Sequence, residues 1–322
     1  MYAKRLLNLK PYTPGEQPQD KQYIKLNTNE NPYPPAPQIS ELLRNTDIDT
    51  LRLYPDPKMT MLRRAIASHF NVSADSVFVG NGSDEVLSFI FYAFFDSDRG
   101  PLLFPDITYS FYPVYCTFYS IEYSTIALQK DFTIRIDNFL EKRSSCGMIF
   151  PNPNAPTGIG LPRDRIAELL TQYPQDRVVA IDEAYVDFGG ERCIPLIHEH
   201  ENLIITGTFS KSASLAGARL GFAIADPKLI EQLFTVKDSF NSYPVGSLIQ
   251  RIGITAMENW KYYDEIIQKI IRTREKVAEA LTRIGWIVYP SQANFLFAGD
   301  PDVSGEFIYT HLKEREIGRA HV

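Results

Sequence analysis

Short apolar runs alternate with longer helical patterns through the middle of this 322-residue chain, and this alternation constrains its fold more than any other feature. The runs are rich in Val, Ile, Leu and Phe, which is typical of strands buried on both faces of a parallel sheet. The strand candidates are Ser76 to Val79, Pro101 to Phe104, Gly147 to Phe150, Arg177 to Ile181, Leu203 to Thr206 and Leu220 to Ala223. The helix candidates are Pro57 to Phe70, Ser83 to Phe95, Pro162 to Gln172 and Pro227 to Val236. The sequence therefore predicts an α/β fold with a mostly parallel sheet covered by helices on both faces.

The chain changes character after Ser242. Its later candidate elements are a helical stretch from Gly246 past Arg283, strands Trp286 to Tyr289 and Asn294 to Ala298, and a helix near Val303 to Lys313. We expect this mixed unit to pair with the proline-rich N-terminal arm as a small domain. The predicted boundaries are residues 46–244 for the large domain and residues 1–45 plus 245–322 for the small one.

Two polar motifs come directly after apolar runs. Asp182 ends one run and is followed by Glu183-Ala184-Tyr185, and Lys211 follows Thr208-Phe209-Ser210. Ligands of open α/β sheets bind at the carboxyl ends of the strands, so Asp182 lies where a site is expected. A Lys amine can form a Schiff base with an aldehyde, and a buried carboxylate can keep a pyridine nitrogen protonated. Taken singly, Lys211 is compatible with a solvated surface residue, and Asp182 with a strand end capped by solvated carboxylates.

A third motif, Gly80-Asn81-Gly82-Ser83-Asp84-Glu85, lies between a strand candidate and a helix candidate. A glycine turn of this kind exposes backbone N–H groups at a helix start, which favours binding of a phosphate. Ordinary N-capping by Ser83 or Asp84 is the alternative. Glu85 occupies the third glycine position of a dinucleotide fingerprint, which counts against an NAD(P)-dependent enzyme. A fourth motif, Asn152 to Gly158, is either a rigid proline turn that presents an amide to a ligand or a plain loop.

In this order, the four motifs resemble those of the fold-type I pyridoxal phosphate (PLP) aminotransferases. Within that family the chain resembles the histidinol-phosphate aminotransferases more closely, through Leu26 to Pro32, Tyr54 to Pro57 and Ser291 to Phe295. The resemblance extends from about residue 5 to about residue 317. It implies PLP as the cofactor, a homodimer, and transfer of an amino group between L-histidinol phosphate and 2-oxoglutarate.

The same resemblance implies a role for each matching position. Lys211 would hold PLP as a Schiff base and then move a proton between substrate and cofactor, while Asp182 would pair with the pyridine nitrogen. The other implied cofactor contacts are Ser83, Asp84, Ser210 and Arg219 at the phosphate, Tyr185 at the ring hydroxyl, Tyr109 on the ring face, and Tyr54 from the neighbouring subunit. Asn29, Glu30 and Asn294 would lie on the substrate side.

The chain departs from the family pattern at two places. Relatives have an Asn directly before Pro-Thr-Gly, where this chain has Ala155, so Asn154 or Asn152 would take that role. Relatives also continue after Ile317 into a strand bearing an Arg that binds the anionic end of the substrate, whereas this sequence ends with Gly318 to Val322. We therefore expect retained PLP but weak substrate binding or an incompletely folded small domain, and Arg319 is not assigned the missing role.

Composition and short patterns limit the remaining classes. The net charge of −6, without a long basic run, argues against a nucleic-acid partner. Three cysteines without CxxC spacing favour a reducing, cytoplasmic setting. The apolar stretch Val86 to Phe95 is too short to span a bilayer, so no membrane partner is expected. His198-Glu199-His200 lacks further ligands, so no metal site is expected.

Other functions remain open from the sequence. A threonine-phosphate decarboxylase or an aromatic aminotransferase would use the same cofactor residues, because those residues do not specify which substrate bond breaks. A chain without the substrate-binding Arg would alternatively be an inactive dimer partner.

Overall fold

The structure is a computed structural model that describes residues 3–7, 9–13, 15, 24–142 and 144–318. Its strands are β1 (Ile24–Lys25), β2 (Val77–Asn81), β3 (Leu102–Pro105), β4 (Tyr123–Ile126), β5 (Gly147–Pro151), β6 (Val178–Asp182), β7 (Leu203–Thr208), β8 (Leu220–Ala225), β9 (Ile287–Val288), β10 (Ala298–Gly299) and β11 (Ile317–Gly318). Its α-helices are α1 (Pro37–Arg44), α2 (Thr60–Phe70), α3 (Gly82–Phe94), α4 (Tyr112–Tyr119), α5 (Ile136–Leu140), α6 (Arg163–Gln172), α7 (Pro227–Phe240), α8 (Ser247–Glu258), α9 (Trp260–Arg283) and α10 (Gly305–Glu314). Short 3-10 helices are Lys4–Leu7, Ile48–Arg52, Ala74–Ser76, Ser97–Arg99, Val186–Phe188, Ile194–His198 and Ala216–Ala218.

Seven strands form the central sheet, in the order β2-β8-β7-β6-β5-β3-β4. Strands β4, β3, β5, β6 and β7 are parallel, and β8 is antiparallel to both of its neighbours, β7 and β2. The six predicted strands of the large domain are confirmed with slightly shifted ends, and so is the mostly parallel α/β fold. The edge strand β4 was missed because its residues are largely exposed and carry no continuous apolar run.

Both faces of the sheet are covered. On β6, Val179 and Ile181 belong to one buried apolar cluster, whereas Val178 and Ala180 belong to the other. Helices α2, α6, α8 and α9 contribute to the first cluster, and α3, α4 and α7 contribute to the second. Burying a Val or Ile side chain on either face stabilises the fold by about 1.5–3 kcal/mol, which explains the near-continuous apolar strands.

Several strand ends meet at one edge of the sheet. Strand β6 ends at Asp182, β7 ends just before the Phe209–Lys211 segment, and β2 leads directly into α3. Because β8 runs the other way, it begins at the same edge, immediately after Arg219. Parallel topology with one reversed strand therefore brings four separate stretches of sequence to one place.

The chain beyond Ser242 differs in detail from its prediction. The single helical stretch is divided into α8 and α9 at Asn259, and strands β9 and β10 are only two residues long. Gly253 of α8 lies against Leu62 and Leu220, so this helix packs on the main sheet side. The N-terminal arm contacts the later unit, since β1 pairs with β11 in parallel. The domain boundaries at residues 46 and 244 stay a prediction.

Within the described ranges, no helix has both the length and the apolar composition that crossing a bilayer requires.

Candidate active site

Lys211 lies just beyond β7, with its side chain partly buried. Its Nζ donates a hydrogen bond of 2.5 Å to the carbonyl of Thr28 and lies 5.6 Å from the centre of the Tyr185 ring. Burial lowers the pKa of Lys211 to about 8, although the carboxylates of Glu30 and Asp84 act in the opposite direction. An amine with this pKa has an appreciable neutral, nucleophilic fraction near neutral pH.

A turn in the N-terminal arm, residues 28–31, holds the Lys211 segment. The Asn31 amide donates to the carbonyls of Lys211 at 3.0 Å and Ser212 at 3.3 Å. Asn29 donates from Nδ2 to the Tyr185 hydroxyl at 3.1 Å, and its own carbonyl accepts from Asn294 Nδ2 at 3.0 Å. The structure therefore brings Asn29 and Asn294 together beside Tyr185, whose ring lies near Lys211, and their place on the substrate side stays a prediction.

Glu30 occupies the outer side of this turn. Its carboxylate forms an exposed ion pair with Lys25 at 2.7 Å. Its charge still raises the pKa of Lys211, so the two residues face a common space.

Asp182 is a buried carboxylate, with 6% of its surface exposed. Its Oδ1 accepts from the Ala184 amide at 3.1 Å, and the hydroxyls of Thr206 and Tyr112 lie close to it. Burial raises its pKa to about 6. No Lys, Arg or His of the described part of the chain forms an ion pair with Asp182, so a protonated ring nitrogen would supply the cation that such a carboxylate lacks.

The start of α3 is a cradle formed by close backbone approaches. Gly82 has φ +81°, and a Cβ there would lie 2.5 Å from Arg219 Nη2. A Cβ on Gly221 would overlap the amide nitrogen of Ser83. The first-turn N–H groups of a helix have no intrahelical partners, and here an Arg guanidinium lies beside them. This arrangement suits a phosphate.

Capping by Ser83 or Asp84, the alternative interpretation of this motif, is wrong. The N-cap of α3 is Asn81, which makes no side-chain capping bond, and both residues lie inside the first turn. The Asp84 carboxylate instead pairs with Arg219 at 2.7 Å and accepts from the Tyr109 hydroxyl at 3.1 Å. Burial raises the pKa of Tyr109 above its ordinary value. Asp84 therefore fixes two other predicted site residues.

Asn154 and Asn152 hold the proline loop together. Asn154 is fully buried, donates to the Ile107 carbonyl at 3.0 Å and to Thr157 Oγ1 at 3.2 Å, and accepts from Thr108. Asn152 donates to the Leu161 carbonyl and accepts from its amide. Both amide hydrogens of Asn154 are used within the loop in this structure, and the role of Asn154 or Asn152 at the cofactor stays a prediction.

Ser210 and Tyr54 occupy different environments. Ser210 is 8% exposed, and its amide donates to Thr208 Oγ1 at 3.1 Å, which fixes the turn before Lys211. Tyr54 is 83% exposed and stacks on Tyr243 with 4.6 Å between ring centres. None of the described contacts joins Tyr54 to Lys211 of its own chain. Residues 319–322 lie outside the described residues, so the expectation about the end of the chain stays a prediction.

Sequence reasoning missed Tyr12 as a site residue. Its ring lies 4.9 Å from that of Phe111, and burial together with the charge of Asp84 raises its pKa. Phe111 in turn stacks on Tyr109 with 6.0 Å between ring centres, so this part of the N-terminal arm lies next to a predicted site residue. Tyr12 stands in a proline-rich segment without periodicity, which gave no signal. Asn31 was missed as a contact although its motif was recognised.

Among the described residues, no group of three or more His, Cys, Asp and Glu side chains is placed to hold a metal ion.

A seven-stranded α/β sheet brings a partly buried lysine and a buried carboxylate to one edge, and a family comparison shows the class of enzyme. The family model described as "Aminotransferase class I and II" matches residues 21–317. This chain belongs to the class I and II aminotransferases.

Individual relatives narrow the similarity. A histidinol-phosphate aminotransferase of Syntrophus aciditrophicus (strain SB) is 56% identical over 319 residues, which cover 98% of this chain and 88% of that protein. A histidinol-phosphate aminotransferase of Chromohalobacter salexigens is 50% identical over 316 residues, covering 98% of this chain and 89% of that protein. The structure of histidinol-phosphate aminotransferase from Sinorhizobium meliloti in complex with pyridoxal-5'-phosphate has a TM-score of 0.84. The aligned part covers 92% of this chain and 82% of the Sinorhizobium protein, with 22% of residues identical. This similarity shows a shared fold.

Proposed function

We propose that this aminotransferase transfers an amino group between L-histidinol phosphate and 2-oxoglutarate, a step of histidine biosynthesis, with PLP as its cofactor. The observation that carries the cofactor assignment is the meeting of Lys211, Asp182 and the Gly82–Arg219 cradle at one sheet edge. The substrate assignment is supported by relatives of that name at 50% and 56% identity.

The residues present fit PLP at three points. A partly neutral lysine, a buried carboxylate without a cationic partner and a helix start beside a guanidinium would take its aldehyde, ring nitrogen and phosphate. When bound, PLP supplies a protonated ring that accepts the electrons released at the substrate's α-carbon. The residues proposed to hold it are Lys211 through a Schiff base, Asp182 at the nitrogen, Tyr185 at the ring oxygen, Tyr109 on the ring face, and Arg219, Ser210 and the Ser83–Asp84 backbone at the phosphate.

Lys211 would also move the proton. Its Nζ, whose pKa burial lowers to about 8 in the ligand-free protein, would accept a proton from the substrate's α-carbon and return it. The Thr28 carbonyl, 2.5 Å from Nζ, orients the amine, and Asn31 fixes the backbone that carries it. The N-terminal arm is thus proposed as part of the catalytic apparatus.

Tyr185 is arranged as a hydrogen-bond donor. Its hydroxyl oxygen accepts from Asn29 Nδ2, which leaves its own hydrogen for the ring oxygen of the cofactor. Burial raises the pKa of Tyr185 to about 12, so the hydroxyl stays protonated at neutral pH. Asn29 would therefore act on the cofactor through Tyr185 as well as border the substrate.

The substrate side would be formed by Asn29, Glu30 and Asn294. Asn294 Oδ1 is buried and has no hydrogen-bond partner among the described residues. Leaving a buried acceptor unpaired is unfavourable, so a substrate N–H would satisfy this oxygen. Tyr12, close to Tyr185 and Asp84, would close the same side.

We further propose a homodimer in which Tyr54 reaches the neighbouring site. Tyr54 stacks on Tyr243, and both lie near other exposed apolar side chains in sequence, which favour burial against a second copy. These side chains are Ile48, Leu51, Leu53 and Phe240. An exposed Tyr hydroxyl on such a surface is suited to reach a phosphate in the partner.

We also propose that the protein works in a reducing, cytoplasmic environment. Cys116, Cys146 and Cys193 are all buried and free of disulfides. Burial also raises the pKa of each thiol, so none is poised to react.

Product analysis tests the proposed reaction. The PLP-loaded protein is incubated with L-histidinol phosphate and 2-oxoglutarate, and glutamate formation is measured, with Lys211→Ala as the inactive control. Parallel incubations use L-threonine phosphate, scored by carbon dioxide release, and aromatic amino acids. Glutamate formed fastest from histidinol phosphate supports the proposal. Carbon dioxide release, or preference for an aromatic amino acid, would replace it with one of the related activities, and no turnover with any amine would favour the inactive dimer partner.

A further inference from the structure

Lys237, in the last turn of α7, is a fully buried cation outside the site described above. Its side chain is 1% exposed. Its ammonium forms an ion pair of 2.5 Å with Asp238, and donates to the carbonyl of Ser242 at 3.1 Å and to that of Pro57 at 3.2 Å. All three of its donors are thus used, as a buried ammonium requires.

The two carbonyls belong to segments whose aromatic residues stack on each other. Pro57 ends the Tyr54–Pro57 segment, and Ser242 directly precedes Tyr243. The rings of Tyr54 and Tyr243 are 4.6 Å apart and nearly parallel, at 27°. Lys237 therefore connects the backbones of the two segments whose Tyr54 and Tyr243 side chains form an exposed aromatic pair.

Gln250 of α8 forms a second link between the segment that carries Tyr54 and the segment that follows Tyr243. Its Nε2 donates to the carbonyl of Asp56 at 3.0 Å and to that of Val245 at 2.9 Å, and its side chain is buried. The backbone next to Tyr54 is thus held at two consecutive carbonyls by two buried donors from different helices. Tyr54 is exposed, yet the segment that carries it is fixed.

Lys237 also faces the start of α3. Burial raises the pKa of Glu85, and the charge of Lys237 partly offsets this rise. The Glu85 carboxylate also accepts a hydrogen bond from the Asn81 amide at 2.6 Å. The charge of Lys237 thus acts on the helix start that forms the phosphate cradle of its own chain, while its ammonium bonds the segment that presents Tyr54.

We propose that Lys237, together with Gln250, is a positioning residue for the cofactor phosphate of the other subunit, because it fixes the segment from which Tyr54 extends. This inference rests on the proposed function, in which Tyr54 acts across a homodimer. A lysine that only stabilised its own chain would affect its own site instead. The two roles therefore differ in which subunit of a dimer is affected.

Mixed dimers separate these roles, because Lys211→Ala confines covalent PLP to one known site. In the first dimer, the Lys211→Ala subunit also carries Lys237→Met, so the intact site receives Tyr54 from the altered subunit. In the second, Lys237→Met is in the subunit with the intact site. The dissociation constant for PLP at the intact site, measured by absorption titration, is expected to rise roughly ten- to a hundredfold in the first dimer only. This is the size of effect expected for loss of a hydrogen bond to a charged group. Weakening in the second dimer only, or equally in both, would overturn the proposal.

Tyr54→Phe in the same two arrangements is the matched control. It is expected to weaken PLP binding only when it is in the subunit opposite the intact site. If it does so and Lys237→Met does not, the positioning role fails while the proposed dimer stands. If Tyr54→Phe has no effect across the dimer, the proposed arrangement itself fails.

Two further variants keep the test informative. Lys237→Arg retains a cation at this position and is expected to restore part of the affinity lost in Lys237→Met. If Lys237→Met does not fold, Gln250→Met removes the parallel connection, and the same pattern across the dimer is expected with a smaller loss. A loss confined to the subunit that carries Gln250→Met would contradict the proposal.

Discussion

Gly82→Ala adds one carbon atom to the phosphate cradle, and the structure predicts separate effects of this change on stability and on cofactor affinity. Gly82 has φ +81°, so an alanine there adopts an unfavourable backbone conformation that costs about 1–2 kcal/mol. The new Cβ would also lie 2.5 Å from Arg219 Nη2 and 3.0 Å from Arg219 Cζ. The guanidinium is the far end of a flexible side chain, so it can move aside with little further loss of stability. It would then leave the place from which it is proposed to bind phosphate.

We therefore expect a small loss of stability and a larger loss of cofactor affinity. The free energy of unfolding of the PLP-free protein, measured in urea, should fall by about 1–2 kcal/mol. The dissociation constant for PLP, measured by absorption titration, should rise roughly ten- to a hundredfold, because a hydrogen bond to a charged group is lost.

Two other glycines provide matched controls. Gly285 has φ +94° and no atom within 4 Å of an added Cβ, so Gly285→Ala has the backbone cost alone. Gly217 has neither a positive φ nor a near neighbour, so Gly217→Ala should change neither quantity. If Gly82→Ala bound PLP as tightly as Gly285→Ala, Arg219 would have no part in the phosphate site. If Gly82→Ala were as stable as Gly217→Ala, the backbone reasoning would be wrong.

Three further predictions concern single side chains. Asp182→Asn should lower the rate of amino transfer about 10²–10³-fold in single-turnover kinetics, because a fixed charge opposite the ring nitrogen is lost. Glu201→Gln, which removes an exposed ion pair with Lys228, is the control and should leave this rate unchanged. Tyr185→Phe should weaken PLP binding about tenfold in an absorption titration, since one hydrogen bond is removed. Burial lowers the pKa of Lys211 from 10.5 to about 8, so the folded PLP-free protein releases this proton before the unfolded chain does. Lys211 should therefore make a contribution to the free energy of unfolding that rises with pH between about 8 and 10.5, and Lys211→Met should remove that contribution from the pH dependence measured in urea titrations at several pH values.

The strands of the main sheet could be predicted because burial on both faces demands continuous apolar runs. The same reasoning placed Asp182 at the ligand-binding edge, since parallel strands end there. Edge strand β4 has one exposed face and leaves no such pattern. The break between α8 and α9 at Asn259 was equally hidden, because apolar spacing continues on both sides of it.

Side-chain partners were less predictable than positions. The sequence placed Asn154 in the right loop, but only the fold shows its amide donating to Ile107 and Thr157. Likewise, nothing in the sequence indicates that the Tyr12 ring packs on Phe111, because this approach depends on how the N-terminal arm is placed. Contacts between residues far apart in sequence are decided by tertiary packing, which local patterns do not encode.

The absorption spectrum of the PLP-reconstituted protein before and after addition of L-histidinol phosphate tests the proposed chemistry most directly. We predict that the absorption of the lysine-bound cofactor is lost as the cofactor takes up the amino group, and that 2-oxoglutarate restores it. The same titration of Lys211→Ala should show no lysine-bound form at the start. A wild-type spectrum that ignores histidinol phosphate but changes with another amine would contradict the proposed substrate, and absence of any lysine-bound form would contradict the role of Lys211.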